Sequence, residues 1–150
     1  MREDYFAIAS WVPDEIACLR WAGPRVTFPF SVTDLPTLLE IPADISASYC
    51  LANGDDNVYG FGQYWVLNPG AVHLGRIIVS PHVRGQGIGA ELCKRLISTA
   101  LDHTGARVVT LRVYQDNFVA LQLYKRMGFM EVTEESKDDV LFMQKDANGS

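Results

Sequence analysis

Several features that would place this chain in a familiar class of proteins are missing from its sequence. No stretch approaches the ~20 consecutive apolar residues of a membrane-spanning helix, and the opening residues lack the charged, apolar and small-residue regions of a signal peptide. We therefore expect a cytoplasmic protein without a membrane partner. Internal repeats, low-complexity tracts and Pro/Gly linkers are also missing, so a length of 150 residues predicts one globular domain over 1–150.

Cysteine is scarce, and its spacing is uninformative. Cys18, Cys50 and Cys93 are odd in number and contain no CxxC pair, which argues against a disulfide framework and against a cysteine metal site. We expect all three to be buried, reduced thiols. The histidines and acidic residues do not cluster at the spacing of metal ligands either, so the sequence predicts no metal.

Runs of Lys or Arg are also missing. The formal net charge is -5 and the pI is about 5.1. Nucleic-acid backbones bind surfaces rich in positive charge, so nucleic acid is not expected as a partner. The overall charge favours a cationic or neutral small partner.

The chain does contain an alternating series of predicted elements. Residues 5–12 read as a strand, 13–23 as a helix with an acidic first turn and a closing glycine, and 31–40 as a second helix. Three β-rich runs separated by turn residues follow at 47–56, 58–70 and 71–81. Helical spacing then spans 87–104, a strand 106–115, a helix 116–128 and a hairpin 129–145.

The helix at 87–104 connects two strands that should pair in parallel through a right-handed crossover. The predicted fold class is therefore α/β of the α+β type. Its mixed central sheet combines an antiparallel meander with a parallel strand pair joined by a crossover helix, and helices cover both faces.

A glycine-rich turn opens that crossover helix and favours binding of a phosphate. A Walker loop is excluded because no Gly-Lys-Ser/Thr occurs. A dinucleotide fingerprint is formally matched by Gly85, Gly87 and Ala90, but five residues separate it from the preceding strand and no acidic residue ends the next one. The remaining pattern, RxxGxG read as Arg84 to Gly89, would direct backbone N–H groups into one concavity that suits a pyrophosphate.

Two segments together resemble the GNAT superfamily of acyl-CoA-dependent N-acetyltransferases. The first is "IIVSPHVRGQGIGAELCKRLI", which carries the RGxGxG turn. The second, "LRVYQDNFVALQLYKRMGFMEV", carries the family's later N-x-x-A-x-x-x-Y-x-x-x-G-F pattern. The resemblance covers about residues 46–145. It implies a GNAT-like fold and acetyl-CoA as cosubstrate.

The resemblance also implies which residues hold the coenzyme. The exposed edge of the first central strand would pair with the pantetheine amides, the glycine turn would hold the pyrophosphate, and the later helix would complete the site. These residues are Ile77, Ile78, Val79, Arg84, Gly85, Gln86, Gly87, Ile88, Gly89, Ala90, Asn117, Ala120 and Tyr124.

Asn117 and Tyr124 lie seven residues apart, which is about two helical turns, so they share a helix face. Asn117 also suits the role of a helix cap. In the family a tyrosine at the place of Tyr124 lies near the coenzyme sulfur and can protonate the departing thiolate. The alternative for Tyr124 is a half-buried aromatic residue with a satisfied hydroxyl.

A general base is useful because the attacking amine must first lose a proton. Many relatives carry a glutamate on the strand before the turn, and His73 occupies the matching place here. No Asp or Glu lies between Asp56 and Glu91. His73 would share one strand face with Gly75, Ile77 and Val79, but a lone strand histidine is also often structural. The rival bases are Tyr64, Tyr59, Glu40 and ordered water.

Two hypotheses follow from the sequence. The first is an enzyme that transfers acetyl from acetyl-CoA to a primary amine of an unidentified small molecule or protein. The second is a non-catalytic acyl-CoA-binding sensor or partner module. The acceptor would be shaped by the N-terminal third, including "RWAGPRVTFPF", where the resemblance says least. The oligomeric state is open, with a homodimer as one expectation.

Overall fold

The computed structural model describes residues 2–23, 26–41, 45–52, 57–83, 85–137 and 139–147. The helices are α1 (Arg2–Ser10), α2 (Glu15–Ala22), α3 (Leu35–Leu38), α4 (Ile88–Thr104) and α5 (Phe118–Arg126). The strands are β1 (Ser46–Ala52), β2 (Val58–Asn68), β3 (Ala71–Val79), β4 (Val108–Tyr114), β5 (Met130–Glu131) and β6 (Val140–Asp146). Short 3-10 turns lie at Val32–Asp34, Pro81–Val83 and Thr133–Glu135. Over these ranges, no helix has the length and apolar content needed to cross a membrane.

The first predicted element is wrong, because residues 5–12 do not form a strand. Arg2–Ser10 is a helix, followed by a turn at Trp11. Ile8, Trp11 and Val12 are buried at 0%, 6% and 4% exposure. Their spacing of three and four residues suits one face of a helix, and a short apolar run cannot distinguish that pattern from a strand.

The mixed sheet is confirmed, with the strand order β1-β2-β3-β4-β6-β5. β1, β2 and β3 form the antiparallel meander, and α4 connects β3 to β4, which pair in parallel. The closing hairpin is also confirmed, since β5 pairs antiparallel with β6 through Met130 and Glu131. The second predicted helix is shorter than expected, comprising a 3-10 turn and α3, with Pro36 in the first turn, where proline is tolerated.

β3 carries the irregularity that shapes the centre of the sheet. Its ladder with β4 comprises only Ala71, Val72 and His73, so the two strands separate beyond that point. Its register against β2 shifts between Gly75 and Ile78. Arg76 has a φ of 51°, which places this non-glycine residue in the left-handed region. The bulge at Arg76 therefore reverses the face to which the following side chains point.

Apolar cores lie on both faces of the sheet. One face packs against α4 and α5, and its buried members include Leu74, Leu96 and Tyr124. The other face packs against α1, α2 and α3 near Phe61 and Ile78. Helices on both faces are thus confirmed.

The expectation of three buried thiols is confirmed for only two of them. Cys18 and Cys93 are buried, whereas Cys50 is exposed. Cys50 lies on β1, which is an edge strand of the sheet. Ser48, Tyr49 and Cys50 are exposed in succession on this strand, so burial of the cysteine does not follow from its residue type.

Candidate active site

The glycine turn before α4 has the backbone needed to approach a ligand closely. Gly85 and Gly87 have φ values of 84° and 77°. A Cβ built on either one would meet no other atom within 4 Å, so the space beside them is open. Gly87 is the N-cap of α4 and offers no side chain to its first N–H groups. The positive end of a 17-residue helix therefore faces this space.

A cavity of about 780 Å³ lies between the end of β3, this turn and α5. That volume is within the usual range for sites that bind a small molecule or coenzyme. Eleven of the predicted coenzyme residues line it, namely Ile77, Ile78, Val79, Gly85, Gly87, Ile88, Gly89, Ala90, Asn117, Ala120 and Tyr124. The fold thus brings together residues from two segments that are more than 25 positions apart in sequence.

Two predicted coenzyme residues are not among the residues lining this cavity. Gln86 is exposed within the turn. Arg84 lies outside the described residues. Backbone N–H groups carry the expected phosphate contacts of such a turn, so the position of the Gln86 side chain does not weaken the site.

Tyr124 lies at the inner end of the cavity, on α5. The preceding helix cap is present as expected, since the Asn117 Oδ1 accepts a hydrogen bond from the Ala120 N–H at 3.3 Å. Tyr124 is only 7% exposed, and its hydroxyl lies beside the Cys93 thiol. Burial raises the pKa of Tyr124 well above its usual value, and the neighbouring Cys93 adds to that increase. The Tyr124 hydroxyl is therefore protonated throughout the neutral pH range.

A smaller cavity of about 130 Å³ lies between the separated parts of β3 and β4 and extends to α2. Ile77, Asn117, Ala120 and Tyr124 line both cavities. Since the strands diverge after His73 and Thr110, the two spaces adjoin through the gap in the sheet. Tyr124 therefore lies where the space beside the glycine turn meets the space beside α2.

The wall of the smaller cavity is held by contacts from the N-terminal third of the chain. The Trp21 Nε1 donates a hydrogen bond to the Arg76 carbonyl at 2.8 Å, which fixes the bulge of β3. The Arg20 guanidinium makes two hydrogen bonds of 2.7 Å to the Asp116 carboxylate, and it holds the pKa of Asp116 below its usual value. The same guanidinium lies 4.6 Å from the centre of the Tyr114 ring. These contacts place part of the N-terminal third at the wall of the smaller cavity, and its role in shaping an acceptor pocket stays a prediction.

His73 is not among the residues that line either cavity. Its Nδ1 lies 2.8 Å from the Thr110 Oγ1, and its ring packs between Trp65 and Phe142. Burial and, to a smaller extent, the nearby positive charge of Arg112 lower the pKa of His73 to about 4. The prediction that His73 shares a strand face with Ile77 and Val79 is wrong, because the bulge at Arg76 lies between them.

Side-chain contacts on either side of the bulge demonstrate this reversal. Val72 and Leu74 pack in the core beside α4 and α5, so His73 between them points to the opposite face. Beyond the bulge, Ile77 joins the α4 side and Ile78 joins the α1 to α3 side. Tyr124 belongs to the α4 and α5 side. The catalytic role of His73 stays a prediction, but it has lost the geometric argument that supported it.

Sequence reasoning overlooked the arginines of the smaller cavity. Arg20, Arg76 and Arg112 all line it. One signal was available, since Arg76 interrupts the apolar strand "HLGRIIV" with a charge. The guanidinium of Arg76 donates hydrogen bonds to the Gln63 Oε1 at 3.0 Å and to the Leu39 carbonyl at 3.2 Å.

Metal-ligating side chains are dispersed over the described part of the chain. There, no group of three or more His, Cys, Asp or Glu side chains is arranged to hold a metal ion. Chemistry without a metal stays a prediction.

Curated relatives match parts of the chain. A thialysine N-epsilon-acetyltransferase of Bos taurus is 36% identical over 81 residues, covering 51% of this chain and 47% of the relative. A probable spermine N(1)-acetyltransferase of Bacillus subtilis subsp. natto is 32% identical over 82 residues, covering 50% and 54%. The chain thus spans about half the length of the curated relatives it matches.

The fold matches solved structures over nearly the whole chain. A spermidine N-acetyltransferase from Vibrio cholerae, in complex with CoA and spermine, superposes with a TM-score of 0.80 at 19% identity, covering 98% of this chain and 92% of the other. At that identity the likeness shows the fold alone. The sequence profile of the Acetyltransferase (GNAT) family matches residues 14–129. Because this match extends over most of the sequence and agrees with the fold, the chain belongs to the GNAT acetyltransferase family.

Proposed function

We propose that this protein transfers an acetyl group from acetyl-CoA to a primary amine, with both substrates bound at once. The observation that carries the proposal is that the two cavities adjoin at Tyr124 through the gap between β3 and β4. A coenzyme entering along the glycine turn and an amine entering beside α2 would meet there. Relatives named as acetyltransferases of amines support the same reaction class.

Two features of the larger cavity support binding of the coenzyme. Open space beside Gly85 and Gly87 leaves room for a pyrophosphate at the N-terminus of α4. Hydrogen bonds from N–H groups to a charged acceptor contribute ~1.5 to 3 kcal/mol each. Ile77, Ile78 and Val79 lie where β3 has left β4, and this position supports the proposal that backbone groups of this stretch would pair with pantetheine amides.

The reaction forms one bond and breaks another. Acetyl-CoA supplies an activated thioester. The amine nitrogen forms a bond to the acetyl carbon, the carbon–sulfur bond breaks, and the sulfur leaves with the electron pair and acquires a proton. The amide product has lost one N–H proton, so atoms and charge balance.

Tyr124 would act on the leaving sulfur. Its pKa is raised above 10 by burial, whereas an ordinary thiol has a pKa of ~8.5. Complete transfer of the phenolic proton to a thiolate is therefore uphill. We infer that the hydroxyl stabilises the developing negative charge by donating a hydrogen bond, and that the sulfur gains its proton as the amine nitrogen releases one, so that Tyr124 stays protonated.

The amine would lose its proton through water. Among the described residues that line the smaller cavity, none is Asp, Glu or His. The free-amine form of the acceptor would then limit the rate. The value of kcat/KM should accordingly increase with pH up to the pKa of the acceptor amine, which is ~10 for an alkylamine such as the lysine side chain.

The experiment combines thiol release with coenzyme binding. Free thiol produced from acetyl-CoA is measured with a panel of primary amines, and the melting temperature is measured with CoA alone. At a free CoA concentration 100 times Kd, binding adds ~2.7 kcal/mol to the free energy of unfolding. We expect both a thermal shift and amine-dependent thiol release.

The two measurements separate the candidate functions. A thermal shift without thiol release for any amine would refute the enzyme and favour the non-catalytic acyl-CoA-binding module. No thermal shift and no calorimetric heat at millimolar CoA would refute both, because each requires the coenzyme site.

A further inference from the structure

Positive charge dominates the wall of the smaller cavity. Among the described residues that line it, the charged side chains are Arg20, Arg76 and Arg112, and none is an aspartate or glutamate. The chain as a whole carries a formal charge of -5, so this wall differs in sign from the rest of the molecule.

The three arginines differ in what they already contact. Arg20 is paired with the carboxylate of Asp116. The Arg76 guanidinium donates hydrogen bonds to the carbonyls of Ala22 and Leu39 and to the Gln63 side chain. Its position is therefore held by the protein itself. Arg112 lies with its guanidinium 4.9 Å from the centre of the Phe142 ring and makes one long hydrogen bond of 3.4 Å, to the Glu135 carbonyl.

Arg112 is therefore the cation best placed to receive a ligand. Within the described ranges no carboxylate lies at ion-pair distance from it. Its side chain is exposed on the sheet face that also carries Thr110, because both residues alternate with buried Leu111 along β4. A planar guanidinium held against an aromatic ring suits two parallel hydrogen bonds to a carboxylate.

Local charge outweighs the net charge of the chain at this site. Interactions between exposed charges decay over a Debye length of ~8 Å at physiological salt, so distant acidic residues are screened from a bound acceptor. A polyamine would place an additional ammonium group near Arg112, and like charges in contact disfavour binding. The overall charge, which favoured a cationic partner in the sequence, is thus a poor guide to this cavity.

We propose that the acceptor is a small primary amine that also carries a carboxylate, such as a free amino acid, and that Arg112 binds this carboxylate. The proposal rests on the proposed function and adds the substrate class. Pairing of the carboxylate with Arg112 would hold the acceptor so that its amine points through the gap between β3 and β4 towards Tyr124. Selection of the acceptor would then depend on a carboxylate that takes no part in the acetyl transfer.

The test uses matched pairs of amines that differ only in the carboxylate. Lysine is compared with cadaverine, ornithine with putrescine, histidine with histamine and tyrosine with tyramine, and spermidine is added as the polycation. For every pair that is acetylated, we expect kcat/KM to be at least tenfold higher for the carboxylate member. A preference for the decarboxylated members or for spermidine would overturn the proposal.

Arg112 variants then assign the preference to one side chain. In Arg112→Gln the ratio of kcat/KM values within a pair should fall at least tenfold, and Arg112→Lys should restore part of it. Arg95→Gln is the matched control, since Arg95 lies on α4 outside both cavities and its substitution should leave the ratio unchanged. A ratio that Arg112→Gln does not alter, in a variant with normal circular dichroism, would refute the role of Arg112.

A second experiment tests carboxylate recognition even if the protein proves not to be an acetyltransferase. If no amine releases thiol, the substrate class is tested by calorimetry, in which Nε-acetyl-lysine and N-acetylcadaverine are titrated into the protein saturated with CoA. At least tenfold tighter binding of the acetylated lysine, lost in Arg112→Gln, would uphold carboxylate recognition without catalysis. Equal binding of both compounds, or none, would overturn it.

Discussion

The His73 Nδ1 and the Thr110 Oγ1 are 2.8 Å apart across the last paired position of the parallel β3/β4 ladder. Beyond this contact the two strands separate, and the gap between them joins the two cavities that Tyr124 lines. The hydrogen bond thus ties the strands together at the base of the gap. It also places His73 in the framework of the site.

The structural position of His73 predicts an acid-sensitive stability. Its pKa is lowered from 6.5 to about 4 in the folded protein, which corresponds to about 3 kcal/mol. The unfolded chain binds more protons between these pH values, so this contribution to the free energy of unfolding is complete above pH 6.5 and is lost as the pH falls towards 4. Between pH 7 and pH 4, we expect the free energy of unfolding, measured with urea, to fall by about 3 kcal/mol more for the wild type than for His73→Gln.

His82→Gln provides the control for replacing a histidine, because His82 is exposed. The same variants test the predicted catalytic role of His73. We expect His73→Gln to retain the acid limb of the kcat/KM profile. Loss of an ionisation near pH 6 to 7 from that profile would instead identify His73 as the base and contradict the structural interpretation.

Removal of the Tyr124 hydroxyl should slow turnover without weakening coenzyme binding. Tyr124→Phe keeps the ring and its edge contact with Phe129. We expect kcat to fall ~10²-fold or more, the lower part of the range for acid catalysis, while Kd for CoA changes little. Tyr49→Phe is the control, since Tyr49 lines neither cavity. Full activity of Tyr124→Phe on a confirmed acceptor would remove Tyr124 from the mechanism.

A negative charge at the N-terminus of α4 should abolish coenzyme binding in a folded protein. A Cβ on Gly89 would lie 3.8 Å from Leu123 and 3.9 Å from Val79, which are ordinary contacts. An acidic side chain in the first turn also suits the helix dipole. Gly89→Glu should therefore fold normally but show no calorimetric heat with CoA, because its carboxylate would repel the pyrophosphate.

Gly89→Gln separates charge from size in the same experiment. It has nearly the same shape as Gly89→Glu, so it should bind CoA more tightly than the glutamate variant does. Equal affinities of the two folded variants and the wild type would show that the phosphate binds elsewhere.

Gly75 is required by the packing of the bulged strand. A Cβ on Gly75 would lie 2.3 Å from the Trp65 Cη2, which is closer than any tolerated contact. Gly75→Ala should destabilise the protein by about 1 to 3 kcal/mol. In a Trp65→Leu background the same substitution should cost at least 1 kcal/mol less, as measured by a double-mutant cycle in urea. Additive effects of the two changes would show that the indole does not restrict this position.

Much of the fold was predictable because its signals are local. The spacing of apolar residues predicted α4 and α5, and the turn residues between the β-rich runs predicted the meander. The wrong prediction of a strand at α1 also comes from reliance on a local pattern. Over eight residues, the pattern of apolar side chains in "YFAIASWV" fits a strand or a helix, and only the burial of Ile8 and Trp11 against the rest of the protein decides between them.

The glycine turn and the Asn117 cap could be predicted from the sequence, because each depends on backbone preferences within a few residues. The larger cavity that these elements line, the face of His73 and the charge of the smaller cavity all depend on how the chain packs. A single bulged residue, Arg76, inverts the alternation of β3, and this bulge is held by Trp21, which is 55 positions away. The Arg20–Asp116 pair spans 96 positions. Contacts between such distant segments form only when the sheet and its helices pack, so no local pattern encodes them.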